Sequence, residues 1–166
     1  MSLFLVENGV MPTTAVRLAV TTGTAIKTML QVKPNRMLRV VEWGVSFNAS
    51  ALAVPIAVEL VETGTVFATV TTLAEADVTK LDDLAALAAD SMDFGTAATG
   101  FTATAEGTIT SIRSLDATRF ISVLSQPFLL QMPLGQWTVV QKANAVRIRV
   151  TAPAAVNCYC YMKLST

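Results

Sequence analysis

AVRIRVTAPAAVNCYCYMKL, residues 145–164, alternates apolar and polar side chains twice, on either side of a break at Ala152-Pro153. A period of two is the mark of a half-buried β-strand, because successive side chains point to opposite faces of a sheet. Val146, Ile148 and Val150 therefore face a core and Arg147 and Arg149 face away. In the second half, Cys158, Cys160, Met162 and Leu164 share one face, and Tyr159, Tyr161 and Lys163 share the other. The two cysteines are the only ones in the chain. On one extended strand they stand near the upper limit of disulfide geometry, and no third cysteine or histidine exists to complete a metal site. They are expected to fill core space as small apolar groups.

The same alternation runs through the rest of the chain. RMLRVVEWGVSFNAS (residues 36–50) sets Val41, Trp43, Val45 and Phe47 against Leu38, Val40, Glu42, Gly44 and Ser46, with Gly44 marking a bulge or a close backbone approach. TAIKTMLQVKPN (residues 24–35) alternates likewise, and Lys33-Pro34-Asn35 reads as the turn joining these two strands. PIAVELVETG and TVFATVTT (residues 55–72) suggest a hairpin across Thr63-Gly64. GTITSIRSL, RFISVLS and PFLLQMP add further strands between residues 107 and 133. Residues 73–91 differ: LAEADVTKLDDLAALAADS is rich in Ala, Leu and acidic residues near helical spacing, which predicts one short helix within residues 73–89. The stretch after it, through residue 107, predicts an extended loop or a weak strand.

Eight to ten short strands with one helical insertion and no β-α alternation predict a mainly β fold. The expected architecture is an antiparallel two-sheet β-sandwich, jelly-roll-like. An N-terminal arm over residues 1–15 and a single domain over 16–166 are the expected organisation.

Composition narrows the function. Of the 166 residues, 52% are apolar and only 14% charged, against a usual charged fraction of about 25%. Twelve basic residues balance twelve acidic ones, so no basic excess exists for gripping nucleic acid or an anionic membrane. No apolar run is long enough for a membrane-crossing helix, and the first residues lack the form of a signal peptide. The absence of histidine removes the commonest general base and the commonest metal ligand. No nucleophile elbow or phosphate loop is present. The acidic residues Asp77, Asp82, Asp83 and Asp90 lack the spacing of a calcium loop. Glu59, Glu62 and Asp116 would matter for catalysis only if a cleft gathered them. Neither a catalytic residue nor a cofactor or metal is expected. A surface so poor in charge is better explained by contact with other subunits.

TTGTAIKTMLQVKPN (21–35), RVVEWGVSFNAS (39–50), VPIAVELVETG (54–64), TATAEGTITSIRSLD (102–116), QMPLGQW (131–137) and NAVRIRVTAPAAVNCYCYM (144–162) cover most of the chain. Together they resemble small proteins encoded by tailed phages and prophage-bearing actinobacteria, of the head-decoration or minor-capsid sort. The resemblance implies a virion protein on the capsid exterior, present in the host cytoplasm during assembly. It implies the major capsid protein and further copies of the chain, as a homotrimer, for partners. The expected contact residues are Leu3, Phe4, Leu5 and Val6 of the arm, Phe94 and Phe101 in the stretch over 91–107, and Trp137 after its Pro-Gly turn. A tail or baseplate protein and a carbohydrate-binding sandwich module are the alternatives.

Overall fold

A computed structural model describes residues 2–48, 55–82, 91–121 and 127–166. Its strands are β1 (Leu3–Glu7), β2 (Val20–Thr21), β3 (Lys27–Val32), β4 (Leu38–Asn48), β5 (Pro55–Thr63), β6 (Thr69–Thr72), β7 (Thr79–Lys80), β8 (Gly100–Ala105), β9 (Ser111–Ile121), β10 (Phe128–Gln131), β11 (Thr138–Val140), β12 (Ala145–Thr151) and β13 (Asn157–Ser165). They form two antiparallel sheets. The first has the order β10-β4-β13-β1-β7, with β11 also on β4 and β2 also on β13; the second has the order β6-β8-β3-β12-β5-β9.

Eight of these strands pair as a nested ribbon: β1 with β13, β3 with β12, β4 with β10 and β5 with β9. Wrapping that ribbon brings β13 onto β4 and β12 onto β5, which is the connectivity of a jelly roll. The mainly β, two-sheet sandwich is therefore as the alternation indicates. Within the expected helical stretch, the described part carries one 3-10 turn at Glu75–Asp77 followed directly by β7. Residues 83–89 of that expectation lie outside the described residues.

The core lies between the sheets. Phe4 and Val6 of β1, Trp43, Val45 and Phe47 of β4, and Cys158, Cys160, Met162 and Leu164 of β13 meet Leu30, Ile56, Val58, Leu60, Val146, Ile148 and Val150 of the second sheet. The inward set of β12 and β13 is thus the one their alternation predicts, and both cysteines are buried free thiols. Burial, then the neighbouring Cys158, pushes the Cys160 thiol above its ordinary value, as expected for an inert core cysteine.

Three expectations need correction. The alternation of β4 does not run unbroken: Leu164 pairs with Val40 and Lys163 with Glu42, so Val41 is the extra residue of a bulge. The phase slips by one there, and Leu38 and Val40 join the core face with Trp43. Second, β3 and β4 are not a hairpin; they lie in different sheets, and Lys33-Pro34-Asn35 crosses between them. Third, β5 and β6 do not pair. Both edges of β5 are taken by β12 and β9, and β6 pairs with β8 at the far edge of the second sheet.

That third correction explains the two arginines of β12. To travel from β5 to β6, and back from β8 to β9, the chain crosses the outer face of the second sheet twice. The crossing segments lie over β12 and β3. Arg147, 0% exposed, donates from its guanidinium to the carbonyls of Glu106 and Thr108, each at 3.1 Å, and of Val66 at 2.7 Å. Arg149 donates to the carbonyl of Ile109 and to Glu59 at 3.0 Å. The amide of Gln31 exchanges hydrogen bonds with the backbone of Ala68, N–H to Oε1 at 3.0 Å and Nε2 to carbonyl at 3.2 Å. The arginines do face away from the core, but onto a third layer of chain rather than onto solvent or a partner.

Candidate interaction surface

The carboxylates that a catalytic cleft would have to gather stand apart. Glu62, buried, takes Arg113 Nε at 2.5 Å and Asn144 Nδ2 at 2.8 Å, whereas Glu59 takes Arg149. Asp116 sits on β9 opposite Leu60, its Oδ1 accepting from the Ala117 N–H at 2.8 Å. Each of the three carboxylates thus has its own surroundings. Among the described residues, no three of Cys, Asp and Glu gather as a metal-ligand set, and no helix is long and apolar enough to cross a membrane.

The outer face of the first sheet carries a polar network. Tyr161 lies across Gly44, where an added Cβ would stand 2.5 Å from the ring. Its hydroxyl donates to Glu42 at 2.8 Å, and Lys163 pairs with the same carboxylate oxygen at 2.7 Å. Tyr159 donates to Glu7. Burial, followed by these hydrogen bonds to carboxylates, raises both phenols above their ordinary range.

The two flanks of this sheet carry the three most exposed large apolar side chains among the described residues. On one edge β1 and β2 both pair with β13, and the chain between them loops out over residues 9–19. Both ends of the loop are fastened. Asn8 continues the ladder with its side chain, donating to the Cys158 carbonyl at 3.1 Å and accepting from the Cys160 N–H at 2.9 Å. Arg17 folds back to donate to the carbonyls of Gly9 at 2.6 Å and Val10 at 2.9 Å, and pairs with Glu7 at 2.5 Å. A loop pinned in this way should bury its apolar side chains, yet Val16 is 87% and Leu18 84% exposed. Together with Phe101 the loop borders an apolar cleft of about 560 Å³.

On the opposite edge β10 and β11 both pair with β4, and residues 132–137 turn outward between them. The Gln136 N–H donates to the Pro133 carbonyl at 2.9 Å and Gly135 has φ +85°, as a type II turn requires at its third position. Leu134, at the tip, is 86% exposed.

No known protein family, curated protein or solved structure matches this chain. Of the residues expected to make contacts, Phe4 and Val6 are buried in the core and Leu3 and Leu5 are half-buried on the outer face. Residues 3–7 of the expected arm are a sheet strand, paired with β13 on one side and β7 on the other. Phe94 and Phe101 are half-buried against the core, with Phe101 reaching the cleft wall. Trp137 is half-buried behind the exposed turn. Sequence reasoning passed over Val16, Leu18 and Leu134. The available cue was local: apolar residues among Pro, Thr and Gly, in stretches with no period to bury them.

Proposed function

We propose that this chain is a non-enzymatic structural subunit that self-assembles and decorates the exterior of a tailed-phage capsid, with the major capsid protein as its partner. The observation carrying this reading is the exposure of Val16, Leu18 and Leu134 on anchored segments at both edges of one sheet. Exposed apolar groups held in place lose little further conformational freedom on docking, and each desolvated side chain contributes on the scale of ~25 cal/mol per Å². The jelly roll supports the reading without deciding it, since coat proteins share that layout with lectins and cupins. The internal engagement of Arg147, Arg149, Glu59 and Glu62 agrees with a part whose work is contact. Repeated contacts of this kind across a lattice stabilise a shell by avidity.

Co-sedimentation of the purified chain with undecorated capsids of its phage tests the proposal. Saturable binding at a fixed number of copies per capsid is the expected result. Binding to isolated tails alone would move the protein to the tail, and binding to neither would overturn the virion role.

A further inference from the structure

We propose that Asn8-Gly9 is a self-modifying site gated by the edge of the first sheet. While β1 lies on β13 the asparagine amide is shielded. When that edge opens, the amide cyclises on the Gly9 nitrogen, and the edge can no longer close as before. The inference is independent of the self-assembly reading and concerns the lifetime of the folded chain rather than its contacts.

The chemistry is set by the dipeptide. Asn8-Gly9 is the one place in the chain where an asparagine precedes a glycine. With no side chain on the following residue, the main-chain nitrogen approaches the asparagine Cγ unhindered, and the wide choice of backbone angles open to glycine admits the reacting geometry. The nitrogen attacks Cγ and a C–N bond forms. The side-chain nitrogen departs as ammonia, taking the proton lost from the Gly9 N–H. Water then opens the succinimide ring at either carbonyl, giving aspartate or isoaspartate. Water is the only co-reactant.

The fold withholds that geometry. Asn8 is 1% exposed and Gly9 is buried beside it. The Asn8 side chain is held at both ends by β13, Nδ2 on the Cys158 carbonyl at 3.1 Å and Oδ1 under the Cys160 N–H at 2.9 Å, and its own N–H donates to the Cys160 carbonyl at 3.0 Å. Cγ cannot turn back onto the Gly9 nitrogen without breaking those bonds. Arg17 fixes the other half of the dipeptide, donating to the Gly9 carbonyl at 2.6 Å while paired with Glu7. The tie is local and can open: β1 has five residues and meets β7 at only two positions on its outer side, and edge elements of this kind open more often than central strands. The product does not fit the closed edge. An oxygen in place of Nδ2 sets two acceptors against each other at the Cys158 carbonyl, and the new buried charge finds no free cation, since Arg17 already serves Glu7. Isoaspartate also adds a carbon to the main chain and displaces the register of β1. One opening is thus recorded irreversibly.

Peptide mapping by mass spectrometry, which separates aspartate and isoaspartate from asparagine, tests the site on the full chain. The protein is held at one mildly alkaline pH, either in native buffer or in urea. Asn8 should convert in urea and on the order of a hundredfold more slowly in the folded chain, as a locally opening edge requires. Arg17→Ala, shown to be folded by circular dichroism, should raise the folded rate several-fold and leave the rate in urea unchanged. Gly9→Ala should slow conversion in urea, because the attacking nitrogen is then hindered. Hydrogen exchange of the converted wild type should show lost protection over residues 3–7, with β5 and β12 keeping theirs. Equal rates in native buffer and in urea would overturn the gate, and so would an unchanged folded rate in Arg17→Ala. No conversion in urea, or conversion that Gly9→Ala does not slow, would overturn the cyclisation. A converted chain with native protection over residues 3–7 would overturn the irreversible opening.

Discussion

Gly44 and the tyrosines opposite it show how one residue governs a surface. The Tyr161 ring occupies the space a Cβ would need, with contacts at 2.5 and 2.9 Å, and the Phe128 carbonyl closes the site at 3.0 Å. Gly44→Ala should therefore destabilise the fold by about 1–3 kcal/mol through overpacking. Urea unfolding measures the loss, and the same substitution in a Tyr161→Ala background should cost clearly less, since the ring is then absent. The phenols also predict an alkaline limit. Tyr159 and Tyr161 are raised from an ordinary value of 10.0 in the folded chain. The unfolded chain therefore loses those protons first, and stability must fall as pH rises past about 10 while being fully present below it. Thermal melts across the alkaline range should show that fall, and Tyr159→Phe should remove its share of the slope.

At the scale of elements, alternation declared strands but not their partners. β12, β13 and β4 were legible because each sets its apolar side chains toward one core. The partners of β3 and β5 were not, because a strand followed by a turn resembles a hairpin whether the chain returns beside itself or crosses to another sheet. A bulge hides in the same way: nothing in RVVEWGV says that Val41 is the extra residue. The third layer over β12 was also illegible, since a polar residue facing away from the core reads identically under solvent or under chain. Burying Arg147 costs several kcal/mol in desolvation, and about 1.5–3 kcal/mol per charged hydrogen bond offsets it. Burial is also what lowers its pKa, ahead of the opposing pull of Glu106. The net stabilisation is small, but removal is not. Arg147→Met removes the donor to three carbonyls, and we expect a loss of about 1–3 kcal/mol. Hydrogen exchange should rise in residues 64–68 and 105–110 before it rises in β13; uniform protection across these segments would refute the arginine clasp.

For the whole molecule, composition predicts surface covered by other subunits, and the most exposed apolar side chains lie elsewhere than in the expected arm. Leu3–Val6 attracted attention as an apolar run, yet a run at the start of a chain and an inward-facing edge strand have the same composition. The three most exposed large apolar side chains among the described residues, Val16, Leu18 and Leu134, instead sit on the loop over residues 9–19 and on the turn over 132–137, where no period of two or of 3.6 exists to reveal them. Under the proposed assembly, so little charge and apolar groups held outward on two flanks of one sheet are what an incorporated subunit needs. The most direct test is its mass in dilute, native solution by sedimentation velocity. A self-assembling subunit should sediment at a multiple of 17.6 kDa that persists on dilution through the micromolar range. A single species at 17.6 kDa throughout that range would contradict it.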